Sequence, residues 1–115
     1  MKRMSGGEQS IFYLLKSMGE IFEREYMGIP GRKFKFDFAI PEKKIAIEYE
    51  GGTWSGGAHV RGAHYSSDCE KYSLAAIHGW CVIRITADML QTGKGQALIK
   101  TAAAGPGAGG NTEFN

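Results

Sequence analysis

Asp37, Glu48 and Glu50 are the residues of this chain best placed to do chemistry together. Asp37 stands in an alternating run, 33–40, in which Phe34, Phe36, Phe38 and Ile40 share one face. Lys33, Lys35, Asp37 and Ala39 share the other. A second run, 44–50, alternates likewise, with Ile45, Ile47 and Tyr49 opposite Lys44, Ala46, Glu48 and Glu50. Only Pro41 to Lys43 separate the two, so the pattern predicts a β-hairpin. Joining its apolar faces gathers the carboxylates on the opposite face. Like charges in such proximity raise a pKa or recruit a cation. An all-oxygen set favours a hard ion, Mg²⁺ or Mn²⁺, over Zn²⁺. Such an ion can activate a water and stabilise the charge that develops on a phosphate. The plainer reading is a solvated sheet face on which Glu48 pairs with Lys35 or Lys44. Gly51 and Gly52, directly after Glu50, favour a site, because close backbone approach of a ligand often requires glycine.

The flanking elements are expected to hold that hairpin. Ile11, Leu14, Leu15 and Met18 recur at helical spacing behind a possible Ser5 N-cap, which predicts a helix over 8–18 ended by Gly19. A loosely alternating stretch, 21–27, reads as an edge strand, followed by a turn at Gly28, Pro30 and Gly31. Residues 51–62 read as a glycine-rich loop carrying Trp54, His59 and Arg61. A helix is expected over 65–78, with Cys69, Tyr72, Leu74 and Ala76 inward, Ser66 or Ser67 as its cap and Gly79 as its stop. A β-branched strand follows over 80–86, then a helix over 87–100 weakened by Gly93 and Gly95. The resulting order, α-β-β-β-α-β-α, describes an α/β domain, a mixed sheet with helices on its faces. Residues 1–100 are read as a single domain, and 101–115, rich in Ala and Gly, as a flexible tail.

Composition narrows the partners. The 115 residues carry 14 Lys and Arg against 12 Asp and Glu, a net charge of +2 that neither demands nor excludes a nucleic acid. Distribution says more: Lys2, Arg3, Lys16, Arg24, Arg32, Lys33 and Lys35 outnumber the acids of the first third of the chain. A basic flank around an acidic centre suits an anionic polymer. Cys69 and Cys81 form no metal-binding CxxC pair and are read as buried small residues of a reduced, cytoplasmic protein. No apolar run approaches the roughly 20 residues of a membrane span.

Phe36-Asp37-Phe38, a short connection, then Ile47-Glu48-Tyr49-Glu50-Gly51-Gly52-Thr53-Trp54 resembles the core of the PD-(D/E)xK nuclease superfamily. The resemblance is to the branch around the very-short-patch mismatch-repair endonuclease and related small nucleases of bacteria and phages. Asp68 to Lys71 matches that branch's Asp-x-x-Lys helix, and Gly79, Trp80, Val82 and Arg84 its Gly-Trp-x-Val-x-Arg strand. The likeness implies a restriction-endonuclease-like fold and Mg²⁺- or Mn²⁺-dependent hydrolysis of DNA. It implies that Asp37 is the central metal ligand, Glu48 the acid of the signature and the Tyr49 carbonyl a further ligand. Glu8 matches an acid that orients a metal-bound water. Glu50 stands where the signature has Lys, so Glu50 is expected to bind metal or deprotonate the water, or Lys71 to supply the missing ammonium.

His59 and His64 are read as phosphate contacts or, for His59, as proton donor to the leaving oxygen, against the plainer reading of exposed loop polars. Trp54 either stacks on a base or covers the loop. Arg61, Arg32, Lys33 and Lys35 suit contacts to the DNA backbone. Arg84, mid-strand among apolar residues, reads first as a structural ion-pair partner and second as a phosphate contact. His78 suits a helix C-terminus, and Asp68 and Lys71 could form no more than a helical pair. The expected activity is a structure-selective endonuclease acting on branched DNA of the Holliday-junction type, in repair or recombination, as a monomer or homodimer. A mismatch- or site-directed nicking enzyme is the alternative, and from another class a DNA-binding module that keeps the fold without catalysis.

Overall fold

The computed structural model describes residues 3–52 and 57–105, with side chains over the same ranges except those of 57–64. Helix α1 (Gly6–Ser17) starts where the sequence offers a reciprocal cap. The Ser5 hydroxyl accepts from the Glu8 N–H at 3.3 Å, and Glu8 Oε1 accepts from the Ser5 N–H at 3.0 Å. Strand β1 (Glu23–Tyr26) lies at the sheet edge, as its charged residues imply. Strands β2 (Phe36–Ile40) and β3 (Ile45–Gly51) form the hairpin, joined by a 3₁₀ turn over Pro41–Lys43 with Lys44 in the left-handed region. Their antiparallel register sets Phe38 opposite Ile47, Ala39 opposite Ala46 and Ile40 opposite Ile45. Helix α2 (Gly57–Ile77) then crosses over and returns the chain as β4 (Cys81–Thr86), parallel to β3. The sheet order is β1-β2-β3-β4, a mixed four-stranded sheet with helices on its faces.

Alternation in the hairpin feeds two separate cores. Phe38, Ile40, Ile45 and Ile47 pack with Ile11 and Leu15 of α1, Ile85 and Ile99. The other face holds Ala39 and Ala46 with Ala75 of α2, Trp80 and Ile29, and also Phe36, which the alternation set with Phe38 and Ile40 but which packs against Trp80 instead. That second face is therefore not the solvated surface its polar residues suggest. Alanine at 39 and 46 leaves room for α2 to seat on the sheet, and Glu48 is carried into the interior with them, only 5% exposed.

Several expectations are corrected. The helix read over 65–78 begins at Gly57, within the stretch read as loop; it lacks the hydrophobic period that would reveal it. Among its described side chains the buried position is Ala75, with Lys71, Tyr72 and Leu74 half-buried, whereas Cys69 and Ala76 are exposed. Cys81 is exposed as well, so neither cysteine is the small core residue expected. The C-terminal helix is two, α3 (Ala87–Thr92) and α4 (Lys94–Ala104), because Gly93 takes a φ of 84° that breaks the run. Helix α4 also reaches into the stretch read as tail, with Ala103 buried. Among the described residues no helix is long and apolar enough to cross a membrane.

The start of α1 sits tightly over the end of β3. A Cβ at Gly7 would lie 2.1 Å from Cζ of the Tyr49 ring. Helix propensity alone would make Gly7→Ala stabilising by up to about 1 kcal/mol. The overlap should reverse the sign, costing about 1–3 kcal/mol. Thermal unfolding of the variant checks this through the direction in which its midpoint moves.

Candidate active site

The β2–β3 ladder stops at the pair Phe38–Ile47, although β3 continues alongside β4 as far as Gly51. At the next pair, side chains replace main-chain bonding. The Asp37 N–H donates to Glu48 Oε2 at 2.6 Å, and the Tyr49 N–H donates to Asp37 Oδ2 at 2.9 Å. The two strands thus fork at the two acids, and each carboxylate occupies what would have been a ladder position. The N–H groups that leave the ladder are thereby satisfied.

Helix α2 supplies the cation. Lys71 Nζ reaches Glu48 Oε1 directly and also donates to the Lys35 carbonyl at 2.7 Å. The Tyr72 hydroxyl adds a bond to Glu48 Oε1 at 3.2 Å. Neither Lys35 nor Lys44 pairs with Glu48: Lys44 Nζ donates to the His78 carbonyl at the end of α2 instead. Lys71 is not spent on Asp68 as a helical pair. The Glu48–Lys71 pair is largely buried, with side chains 6% and 13% exposed.

Asp37 is left under-neutralised. Burial first, then the Glu48 charge and more weakly that of Glu8, push its carboxyl up to about 6, against the lowering effects of the Tyr49 N–H and of Lys71. Glu8 is itself buried at the start of α1, so its carboxylate serves both as half of the capping box and as a neighbour of Asp37.

Glu50 is held from β4. Arg84 of β4 grips its carboxylate through two bonds, Nε to Oε2 at 3.1 Å and Nη2 to Oε1 at 3.2 Å. The Tyr72 hydroxyl lies 3.4 Å from Glu50 Oε2. Its bonding to Glu50 holds the Arg84 guanidinium above its ordinary range, while burial among the acids drives the Tyr72 phenol far up, so that it keeps its proton and has one O–H to offer them. Tyr72, read from the sequence as a core residue, therefore links the two acids of the motif. Its place beside Lys71, three and four residues beyond Asp68 on one helical face, is the signal that could have found it.

The basic flank is divided. Arg32 pairs with Glu70 at 2.8 Å and stacks over Phe34 at 4.7 Å, whereas Lys33 and Lys35 are exposed beside β2. Trp54 lies outside the described residues. His59, Arg61 and His64 fall on the first turns of α2 rather than in a loop, and their side chains lie outside the described residues.

The chain is similar to a solved structure, the catalytic domain of the homing endonuclease I-Bth0305I. The TM-score is 0.65 over 86% of this chain and 94% of that one, at 22% sequence identity. The chain shares the fold of that domain, a mixed four-stranded sheet flanked by helices. No protein-family model matches the sequence, and no curated protein does.

A metal ion at the fork would take its protein ligands from the acids there. Among the described residues no group of three or more His, Cys, Asp or Glu side chains is gathered to cage one. Mg²⁺ is held by one or two carboxylates and keeps water and substrate oxygens for the rest. Asp37, with an unmet electrostatic demand and Glu8 close by, fits that description.

Proposed function

We propose that this chain is a metal-dependent DNA endonuclease of the PD-(D/E)xK kind, akin to the very-short-patch branch, with Asp37, Glu48 and Lys71 at its centre. The observation that carries the reading is the fork, where a half-buried acid, a buried acid and an ammonium converge from three elements. The endonuclease named for the solved neighbour supports it. Asp37 would hold Mg²⁺ or Mn²⁺, with Glu8 orienting its water and the Tyr49 carbonyl a further candidate ligand. When bound, the ion would make a water more acidic and offset charge on the phosphate.

The remaining work falls to the chain's own groups. Glu48 and the Lys35 carbonyl fix Lys71 Nζ, which presents its charge to the phosphate as the attacking oxygen bonds to phosphorus and the 3′-oxygen departs. Lys71 thus takes the part of the lysine that the motif lacks at position 50. Exposed Lys33 and Lys35 would contact backbone phosphates without reading sequence, which suits selection by DNA shape.

Incubation with linear, nicked, mismatched and four-way DNA, each with Mg²⁺, Mn²⁺, Ca²⁺ or chelator, tests the reading. Cleavage is expected with Mg²⁺ and Mn²⁺ only, most rapid on the four-way substrate. Preference for the mismatched duplex would instead indicate the nicking activity. Binding without cleavage of any substrate would make the chain a non-catalytic DNA-binding module.

A further inference from the structure

Arg84 has no part in the chemistry just proposed, yet it is held more firmly than an edge-strand arginine needs to be. Parallel register sets it opposite Glu48, and Glu50, two residues along β3, takes both its Nε–H and an Nη2–H. Its guanidinium lies 4.4 Å from the centroid of the Tyr72 ring, and the same tyrosine's hydroxyl reaches toward Glu50. Groups from β3 and α2 thus fix a planar cation on β4, while its side chain stays 50% exposed.

An exposed ion pair of this kind contributes little to stability. Preorganisation is a better use. A guanidinium carries five N–H donors in a rigid fork, and Glu50 engages one side of it. The end formed by Nη1 and the second Nη2–H retains the geometry that matches two phosphate oxygens. The carboxylate that holds it is committed on both oxygens, which leaves it badly placed to serve a metal at Asp37.

We infer that Arg84 binds a backbone phosphate of the DNA beside the fork, and that Glu50 and Tyr72 are positioning residues for it, with Glu50 no ligand of the metal ion. The inference rests on the endonuclease reading for its substrate, so its test includes binding as well as cleavage. Four-way DNA is titrated by fluorescence anisotropy in Ca²⁺ across a salt series, with wild type, Arg84→Met and Arg84→Lys. Arg84→Met should lower the slope of log affinity against log salt by about one, and Arg84→Lys should keep it.

In Mg²⁺, Glu50→Gln and Arg84→Met should each reduce kcat/KM about tenfold, the value of one charge-assisted contact. The double variant should be no worse than either single one, and Glu50→Gln should need no more Mg²⁺ for half-maximal cleavage. An unchanged salt slope in Arg84→Met would overturn the inference. So would losses that multiply in the double variant, or a Mg²⁺ requirement raised about tenfold in Glu50→Gln. A wild type that binds this DNA but cleaves none would sink the endonuclease reading alone, and the salt slope would still decide the phosphate contact.

Discussion

Asp37→Asn is expected to reduce DNA cleavage by at least about a thousandfold, corresponding to the several kcal/mol that a bound metal contributes to such a transition state. Asparagine can still accept the Tyr49 N–H that Asp37 Oδ2 accepts, so the fork should keep its shape. Stability should move in the opposite direction to activity. The folded-state pKa of Asp37 is about 6, raised above the ordinary carboxylate value, so the fold favours the protonated acid. That stabilisation is complete below roughly pH 4 and is lost as pH rises through the folded pKa. At pH 7 without metal the ionised Asp37 therefore costs stability, on the order of 1 kcal/mol after screening at a half-buried group. Thermal melts of metal-free protein should place Asp37→Asn above wild type at pH 7, with the gap closing toward pH 4. Mg²⁺ should raise the wild-type midpoint and leave that of the variant unmoved. A variant less stable than wild type at pH 7 would mean that the acid is needed for the fold itself.

Lys71→Met should combine a loss of activity with a loss of stability. Its ammonium sits on Glu48 within a pair that is almost wholly enclosed. Breaking a buried pair by removing one partner costs about 3–5 kcal/mol, because the other charge stays behind. Glu48 would keep the Asp37 N–H and the Tyr72 hydroxyl, which places the expected cost near the lower end of that range. Cleavage should fall about 100- to 1,000-fold, as for loss of one preorganised transition-state donor. The double variant Glu48→Gln with Lys71→Met separates the two effects. It should recover much of the stability, since no unpaired carboxylate remains, and none of the activity. Recovery of cleavage in the double variant would show that Lys71 acts only to neutralise Glu48.

What could be seen in the sequence was local. The Ser5–Glu8 capping box and the spacing of Ile11 and Leu15 fix α1, and alternation over 38–40 and 45–47 fixes the hairpin, which brings Asp37 to Glu48 at its end, although Phe36 departs from the pattern. Whatever depended on the crossover was hidden. Ala39 and Ala46 share a face with the acids and read as solvent-tolerant, but they are the small residues on which α2 rests beside Ala75. That docking brings Lys71 and Tyr72 to Glu48, and no spacing along the chain encodes it. The same holds for Glu50. Alternation placed it on the face of the other acids, whereas its partner was settled by the register of a parallel strand reached only after the 21 residues of α2. The glycine-rich start of α2 offered no period to read, so its first turns looked like loop.

The most direct test of a metal-dependent site at the fork is relaxation of supercoiled plasmid by wild type and Asp37→Asn, side by side in Mg²⁺ and in chelator. Conversion to nicked or linear DNA by wild type in Mg²⁺ alone is the expected result. Equal conversion by Asp37→Asn, or by wild type in chelator, would contradict the assignment of metal chemistry to Asp37.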